Sequence, residues 1–181
     1  MYIVVGLGNP GDEYARTRHN TGRMAADFLD ALLPKGKQGV RSIKIFTPDT
    51  FMNKTGLAVA KVVKSRKAAE KLIVIYDDLD LPLGAMKISY NRSSGGHRGV
   101  ESIIRALKTE AFIRIRIGIS PATPSGKIRK PKGERGVEKH ILSEFKKPEL
   151  ETLKKVFKRA KEAVEVIADR GIAPAMTEFN K

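Results

Sequence analysis

Apolar residues recur along this chain in two rhythms that alternate. Tyr2-Ile3-Val4-Val5 is an unbroken apolar run closed by Gly6, which predicts a buried strand over 2–6. Residues 23–33 switch to helical spacing, with Met24, Phe28, Leu29 and Leu32 on one face. A loop over 34–39 and a short strand from Ser42 to Thr47 follow. Leu57, Val59, Ala60, Val63 and Ala68 again fall in roughly helical order. Lys71 to Asp78 reads as a strand buried on both faces that ends in acids, with a turn at 81–84. Residues 85–90 predict a strand, 91–99 a Gly-rich loop, and 100–108 a helix. Residues 112–119 predict a strand with Arg114 and Arg116 on one face. A basic loop from Ser120 to about Gly136 precedes a short helix or turn at 137–145. Glu149 to Arg170 is a strongly amphipathic helix, with Leu150, Leu153, Val156, Phe157, Ala160, Val164 and Ile167 as its stripe. Gly171 and Pro174 predict its end.

Strands alternating with helices imply an α/β fold, a mixed, mostly parallel twisted sheet with helices on both faces. Its 181 residues fit one domain, 1–181, without repeats. No apolar run is long enough to span a bilayer, and the N-terminus lacks the basic stretch of a signal peptide, so the expectation is a cytoplasmic protein with no membrane partner. The sequence contains no cysteine, which excludes thiolate nucleophiles and Cys-based zinc sites. Imidazole chemistry is confined to His19, His97 and His140. The net charge of +15 is spread along the chain, which points to a polyanionic partner, most often nucleic acid.

Gly6-Leu7-Gly8-Asn9-Pro10-Gly11 is a literal G-x-G-x-x-G after a strand. It is a poor dinucleotide turn. Pro10 interrupts it, the next dozen residues lack an apolar stripe, and Asp27 and Asp30 fall on a helix rather than after a second strand. The better reading is a turn that presents side chains. Asn9 follows the first strand, Asn53 follows Phe51-Met52 outside any regular element, and Asp77 ends the central strand. In a parallel sheet these converge with His19 on one edge, where ligands bind in α/β folds. Asp77, Asp78 and Asp80 make a poor metal site, because adjacent strand residues face opposite ways. Asp78 and Asp80 read as turn-forming acids, and Asp77 suits an acceptor that orients an imidazole.

The stretches VGLGNPGDEYARTRHNTG, TFMNKTG, DDLDLPLG, SSGGHRG and RIRIGI together resemble bacterial-type peptidyl-tRNA hydrolase, in the family's order and over most of the chain. The resemblance implies hydrolysis of the ester joining a peptide to the 3′-terminal ribose of tRNA, without metal or organic cofactor. It implies His19 as general base, Asp77 as acceptor of the other ring N–H, and Asn9 and Asn53 as amides that position water and peptide or stabilise the oxyanion. Tyr14, Phe51, Met52 and Gly95 match the cleft, and Arg116 a basic position beside it. Arg98 stands where the family often carries Asn, and an Arg offers no acceptor. The segment 33–47 is short for the family. The expected partner is peptidyl-tRNA, met through phosphates of the acceptor stem and the 3′ CCA end, with Lys87, Arg92, Arg98 and the loop Lys127–Arg135 adding charge. Such binding should be salt-sensitive, and the protein is expected to act as a monomer. A non-catalytic RNA-binding protein on the same fold is the alternative.

Overall fold

Five strands form one sheet in the computed structural model, which describes residues 1–33 and 43–181. They are β1 (Tyr2–Gly6), β2 (Ile43–Phe46), β3 (Leu72–Pro82), β4 (Met86–Tyr90) and β5 (Ile113–Ser120), in the order β2-β1-β3-β5-β4. Strands β2, β1, β3 and β5 are parallel, and β4 runs antiparallel along β5. The three residues between β3 and β4 allow only a reversal, whereas a parallel crossover needs a dozen or more. The expected mixed, mostly parallel sheet is present.

Helices cover both faces. On one, α1 (Thr21–Leu32), α6 (Lys147–Arg170) and α7 (Ile172–Phe179) pack over Val4, Ile73, Ile75 and the odd-numbered isoleucines of β5. On the other, α2 (Thr55–Val62), α3 (Arg66–Ala69) and α4 (Arg98–Leu107) cover Val5, Val74, Tyr76 and Phe112. Strand β3 is central, so Leu72 through Asp77 are all buried. That is why its sequence is a continuous apolar run instead of an alternation. Helix α5 (Gly133–Ile141) lies outside this sandwich and has no buried residue.

Two boundaries differ from the sequence expectation, and one helix is added. Strand β3 continues through the acids to Pro82, its register with β5 shifting between Asp78 and Pro82. Helix α5 starts inside the stretch expected to be loop. Helix α6 ends where expected, but a helix that was not predicted follows directly after Gly171. That residue adopts φ 90°, and α7 begins at once with Pro174 in its first turn, where a missing N–H leaves no helical bond unmade. The predicted loop over 34–39, Ser42 and most of the shortened segment lie outside the described residues.

The carboxyl end of β1 and the first half of β3 are held close to α1 by a glycine contact. A Cβ on Gly22 would sit 2.1 Å from the carbonyl oxygen of Ile75 and 2.7 Å from the backbone nitrogen of Leu7. Both are backbone atoms of the sheet and cannot swing away. Gly22→Ala is therefore expected to cost about 3 kcal/mol or more, read as a lowered midpoint of urea unfolding; an unchanged midpoint would mean that the helix lifts from the sheet without cost. At the sheet's far side, the Asn180 side chain accepts from Ile88 N–H at 2.6 Å and donates to the Ile88 carbonyl at 2.9 Å.

Candidate active site

A cavity of about 970 Å³ opens at the carboxyl ends of the parallel strands. Its walls include Asn9, Tyr14, His19, Asn53, Asp77 and His97. Each arrives by a different element. Asn9 follows β1, His19 sits in a 3₁₀ turn (Arg18–Asn20) ahead of α1, and Asn53 lies in a second 3₁₀ turn (Met52–Lys54) ahead of α2. Asp77 is on β3, and His97 precedes α4.

The centre is a buried carboxylate between two imidazoles. His19 Nδ1 lies 3.1 and 3.0 Å from the two Asp77 oxygens, and His97 Nε2 lies 2.9 Å from Oδ1. Asp77 is 4% exposed and His19 6%. Burial alone would favour the neutral acid at Asp77. The charges and hydrogen bonds of the two imidazoles outweigh it and hold the carboxyl well below the usual carboxylate range. For His19, burial works to depress the pKa, but the Asp77 charge and hydrogen bond prevail and raise it above the ordinary imidazole value; the charge of Arg98 pulls back downward.

The tautomer of His97 follows from its surroundings. Its Nδ1 accepts from the backbone N–H groups of Gly99 and Val100, at 3.2 and 3.3 Å, and so caps α4. The lone pair being used there, the hydrogen is on Nε2, which donates to Asp77. His19 then donates Nδ1–H to the same carboxylate, and its Nε2 keeps a free lone pair. The same logic argues against an ion. The ligand atoms of His19, Asp77 and His97 lie within 4.8 Å of one another, close enough to hold one. A metal on His97 Nε2 would force the hydrogen to Nδ1, against the two capping N–H groups.

The asparagines differ. Asn9 is clamped: its N–H donates to Asn20 Oδ1 at 2.8 Å, its carbonyl accepts from Asn20 Nδ2 at 2.9 Å, and its own Oδ1 accepts from Met52 N–H at 2.9 Å. The amide Nδ2 of Asn9 has no hydrogen-bond partner among the described residues. Asn53 is exposed, and its side chain has no hydrogen-bond partner among the described residues.

A family model described as peptidyl-tRNA hydrolase matches residues 3–181. The chain belongs to the peptidyl-tRNA hydrolase family. A curated peptidyl-tRNA hydrolase of Thermodesulfovibrio yellowstonii is 39% identical over 196 aligned positions, covering 100% of both chains. One from Aquifex aeolicus is 43% identical over 172, covering 87% of this chain and 85% of its own. The crystal structure of peptidyl-tRNA hydrolase from Acinetobacter baumannii superposes with a TM-score of 0.84 at 26% identity, over 99% of this chain and 94% of that one. No helix among the described residues is long and apolar enough to cross a membrane.

Around the centre, the residues expected to line the cleft take distinct places. Tyr14 and Phe51 meet edge to face, with ring centroids 6.3 Å apart, and Phe51 is 53% exposed. Met52 is buried, its sulfur wedged beneath Gly99 of α4. Gly95 and Gly96 turn the loop with φ of 61° and 82°. Arg98 is exposed and lies 3.6 Å from Glu134 of α5. Arg116 is not a free cation, because Asp78 Oδ2 accepts from its Nε at 2.6 Å. Lys130 pairs with Asp80 in the same way. The acids after Asp77 are thus counter-charges to basic residues of the cleft. Among the other basic candidates, Lys87 and Arg92 are exposed, Arg92 lining the cavity.

Arg114, predicted to share a face with Arg116, is fully buried. Its guanidinium stacks 4.6 Å over the Phe112 ring and donates to the carbonyls of Arg92 and Ser93, so it props the start of the Gly-rich loop. The sequence reading left His97 and Asn20 without roles. Their signals were their places inside SSGGHRG and RHN, where each follows a residue that the cleft uses.

Proposed function

We propose that this chain hydrolyses the ester between the peptide and the 3′-terminal ribose of peptidyl-tRNA, with His19 as general base, as a monomer in the cytoplasm. The observation that carries the mechanism is the contact between His19 Nδ1 and the Asp77 carboxylate. It leaves Nε2 as the basic nitrogen and stabilises the imidazolium that forms when water gives up its proton. Water adds to the ester carbonyl as His19 takes its proton. The tetrahedral intermediate then collapses, the C–O bond to the ribose breaks, and His19 returns the proton to the leaving 3′ oxygen. Asn9 Nδ2, in the buried wall, and Asn53, exposed at the rim, supply donors for the oxyanion or the peptide backbone. Loss of one such donor costs about 10²–10³ in rate. On the RNA side, Arg92, Arg98 and Arg116 edge the same cavity. Acceptor-stem phosphates and the CCA end are their proposed partners.

The test is release of acetyl-amino acid from N-acetyl-aminoacyl-tRNA, run beside the free aminoacyl ester. Cleavage of the first with sparing of the second supports the reading. Tight, salt-dependent tRNA binding without cleavage would replace it with an RNA-binding role.

Arg98 makes a separate mark on the pH profile. Its charge disfavours the His19 imidazolium. Arg98→Asn removes that charge, so His19 should hold its proton to higher pH. The acid limb of kcat/KM should move upward, with the activity loss greatest on the acid side; a limb that stays in place would mean solvent screens the pair.

A further inference from the structure

The residue before the proposed base is as buried as the base itself, yet it does not line the cavity. Arg18 is 8% exposed. Its Nη2 donates to both oxygens of Glu149, at 2.9 and 3.0 Å, and its Nε donates to Ser143 Oγ at 3.1 Å. The guanidinium carbon lies 4.7 Å over the Phe145 ring. The backbone repeats the connection. Arg18 N–H donates to the Ser143 carbonyl, Phe145 N–H donates to the Arg16 carbonyl, and Thr17 bridges Glu144 in antiparallel fashion.

These partners lie between the end of α5 and the first turn of α6. Ser143 follows α5, and its hydroxyl donates to the His140 carbonyl at 2.6 Å. His140 Nε2 in turn meets the Ile119 carbonyl of β5 at 3.1 Å. Glu149 is in the first turn of α6 and also accepts from Lys146 N–H at 2.7 Å. Helix α5 contributes Glu134, Val137, Glu138 and Ile141 to the cavity wall without burying any residue. Lacking a core of its own, it depends on its ends for placement.

We propose that Arg18 is a positioning residue for the reaction, a buried cation that fixes the turn carrying His19 to the end of helix α5, so that the base and the wall above it keep one spacing. A buried ion pair is by itself weak evidence for stability, because desolvation offsets much of the attraction. A cation kept dry beside the base is better explained by geometry. A displacement of about 1 Å at a reacting group costs on the order of 10²-fold in rate.

The proposal rests on the hydrolase reading and is tested on the full chain with Arg18→Met, which keeps the stem over Phe145, and with Arg18→Lys. Arg18→Met should lower kcat by about ten- to a hundredfold with KM nearly unchanged. It should also shift the His19 ring titration, followed by NMR, downward as the Asp77 contact loosens. The groups facing His19 in that titration are Asp77 from β3, His97 at the cap of α4 and Arg98 in its first turn; around Arg18 itself they are Glu149 and His140. Arg18→Lys should recover part of both effects. A lower melting temperature with kcat and the His19 titration unchanged would reduce Arg18 to a structural ion pair and overturn the proposal. If Arg18→Met does not fold, Ser143→Ala removes only the Nε acceptor. It should move kcat and the titration in the same direction by less, and no movement of either would equally overturn it. The two readings fail separately: an inactive wild type removes the hydrolase, whereas an unaltered His19 titration removes the role of Arg18.

Discussion

His19→Ala should lower kcat on N-acetyl-aminoacyl-tRNA by about 10²–10⁴ while leaving tRNA affinity close to that of the wild type. The separation follows from where the groups sit. His19 is buried at the base of the cavity, whereas Arg92 and Arg98 are exposed at its mouth. Removing the imidazole takes away the acceptor for the water proton and the counter-charge of Asp77, but no phosphate contact. Single-turnover rates and equilibrium tRNA binding, measured on one preparation, check both halves. A variant within a few-fold of wild type would transfer the role of base elsewhere.

Asp77→Asn should be nearly as damaging, for a reason specific to this site. The carboxylate receives two N–H donors, and one of them cannot yield. His97 is committed to an Nε2 hydrogen because its Nδ1 caps α4. An asparagine has one carbonyl oxygen. With that oxygen held at the Oδ1 position by His97, the amide NH₂ takes the Oδ2 position, 3.0 Å from His19 Nδ1, where a ring N–H would meet a second donor; His19 must turn Nδ1 into an acceptor and carry its hydrogen on Nε2. That nitrogen then has no lone pair for water. A loss of about 10⁴, the size seen when a triad carboxylate is changed to an amide, is expected. The pH behaviour distinguishes this from simple unfolding. Asp77 is what raises the His19 pKa against burial. With it neutral, burial and Arg98 remain, so the residual activity should have its acid limb at lower pH than wild type. Imidazole nitrogen shifts would report the tautomer directly; a His19 still protonated on Nδ1 would refute the argument.

The sandwich was legible because burial on both faces writes itself as continuous apolar runs in β1 and β3, and a face turned to the core as the alternating isoleucines of β5 and the stripe of α6. The convergence of Asn9, His19, Asn53 and Asp77 was legible for a related reason: in a parallel sheet, whatever follows each strand meets at one edge. His97 was not. Its place depends on α4 pointing its N-terminus at β3, a packing fact that no local pattern encodes. The pairing of Asp78 with Arg116 was equally hidden, since it needs the register of β3 against β5. Helix α7 was missed because Pro174 reads as a stop unless it falls in a first turn, as it does here. The role of Arg98 was open in the sequence, and its pairing with Glu134 needed the placement of α5.

The Asn180 contact with Ile88 has a consequence for how these molecules behave together. Strand β4 is the last of its sheet, and the Ile88 N–H and carbonyl are what a strand from another molecule would pair with. A side-chain amide carries one donor and one acceptor, as a peptide unit does, and Asn180 occupies both with no backbone to extend the ladder. It acts as a stopper against edge-to-edge association, a hazard that exposed strands otherwise carry. Self-assembly through β4 is thus opposed by a single residue, with the buried ring of Phe179 anchoring it in place.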